Sequence, residues 1–192
     1  MSAAHPSGAT VWLTGLSGAG KTTIATECAA RLGADGRLAP HGLRTLILDG
    51  DELREGLNAD LSFSAEDRAE NVRRVGEVAL LFARHGHLVL VPVISPYSKD
   101  RLKVRQRHEA CAVPFVEVHV ATALATCEAR DPKGLYRRAR AGEIGQFTGI
   151  SDPYEPPESP EVRIASEGRT PLESAAALLE ALERLAVVPR PA

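Results

Sequence analysis

The run Gly15-Leu16-Ser17-Gly18-Ala19-Gly20-Lys21-Thr22 fits the template Gly-x-x-x-x-Gly-Lys-Ser/Thr without a gap. Its flanks are the ones the template requires. Thr10-Val11-Trp12-Leu13-Thr14 before it is short, apolar and rich in strand formers, and Ile24 to Leu32 after it reads as helix. A glycine-rich turn between strand and helix lets backbone N–H groups converge on a phosphate chain, and the helix start adds its positive end. Gly15 through Thr23 are therefore candidate nucleotide-binding residues. Lys21 is expected to reach the β- and γ-phosphates of ATP, and Thr22 to offer its hydroxyl to Mg²⁺.

The rest of the chain alternates strands with helices, which implies an α/β fold. The architecture expected is the three-layer P-loop type, a mostly parallel five-stranded sheet with helices on both faces. Arg44 to Leu48 reads as a buried parallel strand and ends in Asp49-Gly50-Asp51. Acidic residues at the carboxyl end of a parallel strand stand where open α/β sheets bind ligands. The segment 33–42 between helix and strand reads as loop. After an irregular stretch, Ser64 opens a helix with Asp67 in capping-box position, Val72, Val75, Ala79 and Phe82 on its apolar face and Gly86 as its stop. His87 to Ile94 is a third strand, closed by Ser95-Pro96-Tyr97. The next helix, Ser98 to Glu109, is charged, and most of its five Arg and Lys residues are expected to face solvent. Pro114 to Val120 is a fourth strand, followed by a short helix over Ala123–Arg130, and Glu161 to Ala165 a short fifth strand. Thr170-Pro171-Leu172-Glu173 caps a last helix whose stripe is Leu172, Ala176, Leu179, Leu182 and Leu185, and the tail from Pro189 to Ala192 is expected to fray.

Between them, Asp131 to Pro160 holds five prolines and four glycines, with a basic run from Lys133 to Arg140. A long stretch of this kind inside a compact domain is usually functional, and a lid over phosphates is the expected role. Tyr136, Phe147 and Tyr154 argue against a disordered insertion.

Composition closes off other classes. A net charge of -2 and a pI near 6.3 supply no field for nucleic acid, so an anionic substrate must meet a local cluster of Arg and Lys. Cys28, Cys111 and Cys127 form no metal-ligand or C-x-x-C spacing and read as reduced thiols of a cytoplasmic protein. The start, Met1 to Gly8, lacks the charged and apolar regions of a signal peptide, and no apolar run is long enough to span a membrane.

No guanine-reading Asn-Lys-x-Asp tetrapeptide occurs, and the chain is short for an ATP-driven motor. A small-molecule kinase fits what is left. Phosphoryl transfer needs Mg²⁺, cations around the moving group, and something to orient or deprotonate the acceptor. Lys21 and Thr22 serve the first two; Asp49 and Asp51 are candidates for the third, with one of them holding Mg²⁺ through water.

The later motifs are Leu48-Asp49-Gly50-Asp51 with Arg54, Gly56-Leu57-Asn58 with Asp60 to Ser64, and Glu66-Asp67-Arg68 with Glu70, Asn71, Arg73 and Arg74. Ile94 to Tyr97, Arg130 to Tyr136, Phe147 to Ile150 and Pro153-Tyr154-Glu155 follow. In kind and order these motifs resemble those of the adenylylsulfate kinase family, and the resemblance covers nearly the whole chain. One departure is Val91-Pro92-Val93, where relatives often carry a small residue and Phe. The resemblance implies transfer of the ATP γ-phosphoryl to the 3'-hydroxyl of adenylylsulfate, giving 3'-phosphoadenylylsulfate and ADP in sulfate assimilation. It implies that Arg54, Phe63, Arg68, Asn71, Ile94, Ser95, Lys133 and Phe147 hold adenylylsulfate, and that Arg130 belongs to the ATP site. An aromatic pair suits adenine and forked arginines suit a phosphosulfate. Ser95 is also often described in bacterial members as a phosphoserine intermediate; Asp51, with Asp49 second, is the simpler base for direct transfer. A single domain over 1–192 with its lid at about 131–160 is expected, standing alone rather than fused to an ATP sulfurylase, and a homodimer is the family expectation. The alternatives are a related kinase for another nucleotide, such as a cytidine diphosphoramidate, and a silent nucleotide-binding module; the retained Lys21, Thr22, acidic pair and acceptor-side residues speak against both.

Overall fold

The computed structural model describes residues 8–190; the polar start and the last two residues of the tail lie outside them. The strands are β1 (Ala9–Thr14), β2 (Arg44–Ile47), β3 (His87–Pro92), β4 (Phe115–Val120) and β5 (Val162–Ile164). The helices are α1 (Lys21–Asp35), α2 (Gly50–Glu55), α3 (Ala65–Arg84), α4 (Ser98–Glu109), α5 (Leu124–Arg130), α6 (Leu135–Arg140) and α7 (Pro171–Arg184). All strand pairs are parallel and the sheet order is β2-β3-β1-β4-β5. The chain moves outward from β1 to β2, returns through β3, and crosses to β4 and β5. The topological switch is thus at β1, whose carboxyl end carries the glycine-rich loop.

Two apolar layers flank the sheet because side chains alternate along each strand. Val11, Leu13, Leu90, Val116 and Val118 pack with Ile24, Cys28 and Leu32 of α1 and Leu178 and Leu182 of α7. Trp12, Val89, Val91 and Phe115 pack on the other face with Val72, Val75 and Ala79 of α3 and Val104 of α4. Each fully buried large apolar side chain contributes about 1.5–3 kcal/mol. Pro92 is tolerated in a central strand because it is the last residue of β3, and Val93 resumes the ladder by donating to Leu13 O at 3.1 Å.

Several expectations are corrected. Helix α1 starts at Lys21, inside the motif, and runs on to Asp35; the remainder of the expected loop contains a 3-10 turn at Ala39–His41. Strand β2 is an edge strand and only half-buried, because β3 covers one side of it alone. At the start of α3 the capping box is half formed: Ser64 accepts from the Asp67 N–H at 3.1 Å, but the Asp67 carboxylate turns to the Ser62 N–H at 3.0 Å. In α4, Lys99, Lys103 and Arg107 do face solvent, but Arg101 is buried and paired with Glu117 at 2.7 Å. The α7 stripe is displaced: Leu172 and Leu185 are exposed, and Leu178 is buried beside Leu179 and Leu182. The capping box of Thr170 and Glu173 forms in full. The segment after α5 carries α6, and its Tyr136 and Phe147 join the α1-side core.

Candidate active site

The loop from Gly15 to Gly20 is held by its carbonyls. The Tyr136 hydroxyl donates to Ser17 O at 2.9 Å, Arg130 Nη1 to Gly18 O at 3.3 Å, and the Thr122 hydroxyl to Ala19 O at 2.9 Å. With these carbonyls drawn outward, the loop is braced by β4, α5 and α6 at once. Gly15 lies so close to β4 that a Cβ there would stand 2.6 Å from Val120 O. Gly20, at φ 100°, caps α1 with no side chain on the first N–H groups, so the helix start is open to an anion.

Lys21 is buried and donates to Gly15 O at 3.0 Å and Leu16 O at 2.7 Å. Burial pushes its pKa down to about 8, while the neighbouring Cys127, Asp51 and Asp49 act in the other direction. Thr22 donates to Asp49 Oδ2 at 2.7 Å, and Asp49 Oδ1 accepts the Asp51 N–H at 2.8 Å. Asp49 is thereby the N-cap of α2 and is held rigid against the loop. A hydroxyl and a carboxylate side by side are hard oxygen donors that fit Mg²⁺, which keeps several waters and takes few protein ligands. The Asp51 carboxylate pairs instead with Lys133 from the segment between α5 and α6; both are exposed.

On the acceptor side, the Arg54 guanidinium lies 4.5 Å from the Phe63 ring centroid and that of Arg68 5.5 Å from it. Phe63 is 55% exposed, a large aromatic face left uncovered between two cations. Arg68 is buried: its Nε donates to Phe63 O at 2.9 Å and its Nη2 to Gln146 O at 2.6 Å, with Asp152 at 3.8 Å. It therefore ties the start of α3 to the residue before Phe147. Asn71, one turn on, is buried and accepts from Asn58 at 3.0 Å. Phe147 is not the exposed counterpart of Phe63. It is buried and packs edge-on to Tyr136, with centroids 5.0 Å apart.

At the end of β3 the Ile94 carbonyl accepts from the Thr14 hydroxyl at 2.6 Å. Ser95 is buried in left-handed backbone at φ 41°. Its hydroxyl accepts from the Trp12 indole at 3.0 Å and its carbonyl from Arg101 at 2.8 Å. Thr122, Tyr136, Asn58 and Ser166, whose hydroxyl also donates to Ala19 O at 3.3 Å, were not singled out from the sequence. The signal for Thr122 and Ser166 was their position just past the carboxyl ends of β4 and β5; Tyr136 and Asn58 stood inside quoted motifs without a role.

A parallel sheet with this loop at its switch point, an acidic pair after β2 and an arginine–aromatic cluster beside them defines a P-loop kinase fold. The family model for adenylylsulphate kinase matches residues 7–165. An adenylyl-sulfate kinase of Geotalea uraniireducens is 51% identical over 174 residues, covering 91% of this chain and 80% of that one. The solved structure of the Mycobacterium tuberculosis APS kinase CysC in complex with AMPPNP and APS is 49% identical, with a TM-score of 0.87 over 93% of this chain and 99% of that one. A hexameric APS kinase from Thiobacillus denitrificans is 34% identical at a TM-score of 0.70, covering 95% of this chain and 30% of that one. The chain belongs to the adenylylsulfate kinase family.

Proposed function

We propose that this chain phosphorylates the 3'-hydroxyl of adenylylsulfate with ATP, releasing 3'-phosphoadenylylsulfate and ADP. The observation that carries this reading is the exposed Phe63 face between Arg54 and Arg68, set on the elements that follow the phosphate loop and Asp49. A flat base and the tetrahedral anions of a phosphosulfate call for that combination. The relative solved with AMPPNP and APS supports it at 49% identity.

In this reading the loop N–H groups and Lys21 hold the triphosphate of ATP, and Arg130 lies on its nucleoside side. Lys21 leaves the carbonyls of Gly15 and Leu16 for the phosphates. Thr22 and Asp49 are the residues that would hold Mg²⁺, which supplies charge neutralisation on the triphosphate when bound. Arg54, Phe63, Arg68, Asn71 and Ile94 bind and orient adenylylsulfate, and Phe147, packed on Tyr136, joins them only when the segment that carries it moves. The 3'-oxygen attacks the γ-phosphorus as its proton passes to the Asp51 carboxylate, and the bond from γ-phosphorus to the β-bridging oxygen breaks with ADP leaving. Asp51 accepts that proton only once Lys133 turns from it to the phosphates. Ser95, engaged by Trp12, positions substrate.

The test is ADP release with Mg²⁺ and ATP, comparing adenylylsulfate, AMP, cytidine nucleotides and no acceptor. Adenylylsulfate alone is expected to drive turnover. A cytidine nucleotide as the preferred acceptor would move the chain to a related kinase, and turnover with none would leave a nucleotide-binding module.

Residues 131–160 act as the lid of a single catalytic domain. Lys133, Tyr136 and Gln146 connect this segment to Asp51, the loop and Arg68. Amide exchange over 131–150 is expected to slow when ATP analogue and adenylylsulfate are bound together, as Lys133 and Phe147 gain partners. Exchange unchanged by saturating ligands would refute the lid. No helix among the described residues is long and apolar enough to cross a membrane. A cytoplasmic homodimer is the proposed working form; Leu81 on α3 and Leu102 on α4 expose apolar surface, and light scattering decides its mass.

A further inference from the structure

Asn58 lies in the turn between α2 and α3, with no surface exposed. Its N–H donates to Leu53 O at 2.8 Å and its carbonyl accepts from Leu61 at 3.1 Å, so its backbone is pinned. Its side chain points inward to Asn71, where Nδ2 donates to Oδ1 at 3.0 Å. The Asn58 Oδ1 is buried without a partner. The opposite orientation of the two amides would bury an unpaired NH₂ group instead. Orphaned donors are rarer in folded proteins than under-satisfied carbonyls, which favours the arrangement observed.

The arrangement has a chemical consequence. With its Oδ1 taken by Asn58, Asn71 turns its NH₂ group, two donors and no acceptor, to whatever it meets on the other side. We propose that Asn58 is a positioning residue that holds Asn71 as a donor, so that this part of the site takes an acceptor oxygen of the nucleotide substrate and disfavours an exocyclic amine. The proposal rests on the reading that Asn71 faces adenylylsulfate. Arg68, one turn earlier on α3, likewise presents only donors, so the two would address the same electron-rich part of the substrate.

Steady-state kinetics of the full chain, with adenylylsulfate and ATP varied separately, test it through four variants. Asn71→Ala removes the donor. Asn71→Asp keeps the oxygen that Asn58 holds but replaces the NH₂ by a second oxygen, which then faces the anion. Its KM for adenylylsulfate is expected to rise by about tenfold or more and by at least as much as that of Asn71→Ala, the scale of a lost hydrogen bond to a charged group. KM for ATP should stay within about twofold, because the loop is untouched. Asn58→Ala is expected to raise the adenylylsulfate KM about three- to tenfold in the native background and to add nothing in the Asn58→Ala/Asn71→Ala double variant. A native adenylylsulfate KM in Asn71→Asp would show that an oxygen faces substrate and overturn the proposal. Asn58→Ala effects that are equal in both backgrounds, or equal on both KM values, would reduce Asn58 to a structural staple. Should Asn58→Ala not fold, Asn71→Asp against Asn71→Ala still decides the orientation. A failure of the underlying reading looks different: the unaltered enzyme itself would then show no turnover dependent on adenylylsulfate.

Discussion

Asp51→Asn is expected to lower turnover by about 10²-fold or more while both nucleotides still bind, the usual scale for loss of a general base. The 3'-hydroxyl is a poor nucleophile, and a carboxylate that takes its proton as the O–P bond forms lowers the barrier directly. Asp49 suits that part less well: its two oxygens already accept from Thr22 and from the Asp51 N–H at the start of α2, and in this reading it would hold Mg²⁺. Asp51 sits two residues on with its side chain outward, engaged only by Lys133. Losing that exposed ion pair costs the fold little, so the variant should remain folded. The companion variant is Ser95→Ala. With the Ser95 hydroxyl buried and taken by Trp12, a modest loss is expected. Direct transfer inverts a chiral γ-phosphoryl group, whereas two transfers through Ser95 retain it. Retention together with a dead Ser95→Ala enzyme would make Ser95 the nucleophile and Asp51 a bystander.

Lys21→Ala is expected to cost about 10²–10³-fold in turnover, roughly 3–4 kcal/mol, the scale of removing one preorganised group that meets developing charge. Lys21 is buried and held at the loop by the carbonyls of Gly15 and Leu16, so its ammonium has only to turn from them to meet the phosphates. The depressed pKa gives a second readout. With a free-enzyme pKa of about 8, Lys21 is half neutral at that pH, and the triphosphate restores its charge. Binding of an ATP analogue near pH 8 is therefore accompanied by proton uptake, seen by calorimetry in buffers of different ionisation heat. The uptake should fade toward pH 6, where the free enzyme is already charged, and should vanish in Lys21→Ala. Uptake that persists in the variant would assign the proton to another group.

Residues whose placement follows from short-range pattern were legible in advance. The loop, its lysine and threonine, and the acidic pair lie on one contiguous strand–turn–helix or at one strand end, where spacing alone sets the geometry. The Thr170 capping box and the Gly86 stop of α3 were readable for the same reason, since each is complete within four residues. The alternation of strands with helices along the chain announced a parallel sheet covered on both faces.

What failed to show in the chain depends on contacts between residues far apart in it. Strand β2 has the composition of a buried strand, but edge or centre is decided by the sheet order, which sequence does not contain. Arg101 looks like any surface cation until Glu117, Ser95 and the carbonyl of Glu155 close around it. Phe63 and Phe147 are alike as residues, yet packing against Tyr136 buries one and the Arg54–Arg68 pair leaves the other open. Tyr136, Thr122 and Arg130 become supports of the phosphate loop only because β4 and the segment after it fold back against β1. The sequence by itself determined the chemistry this chain can offer, because phosphate binding needs a local backbone shape. Only the tertiary structure decided which side chains are held, in which orientation, and which are left free to meet a substrate, because burial and hydrogen-bond partners are properties of the packed chain.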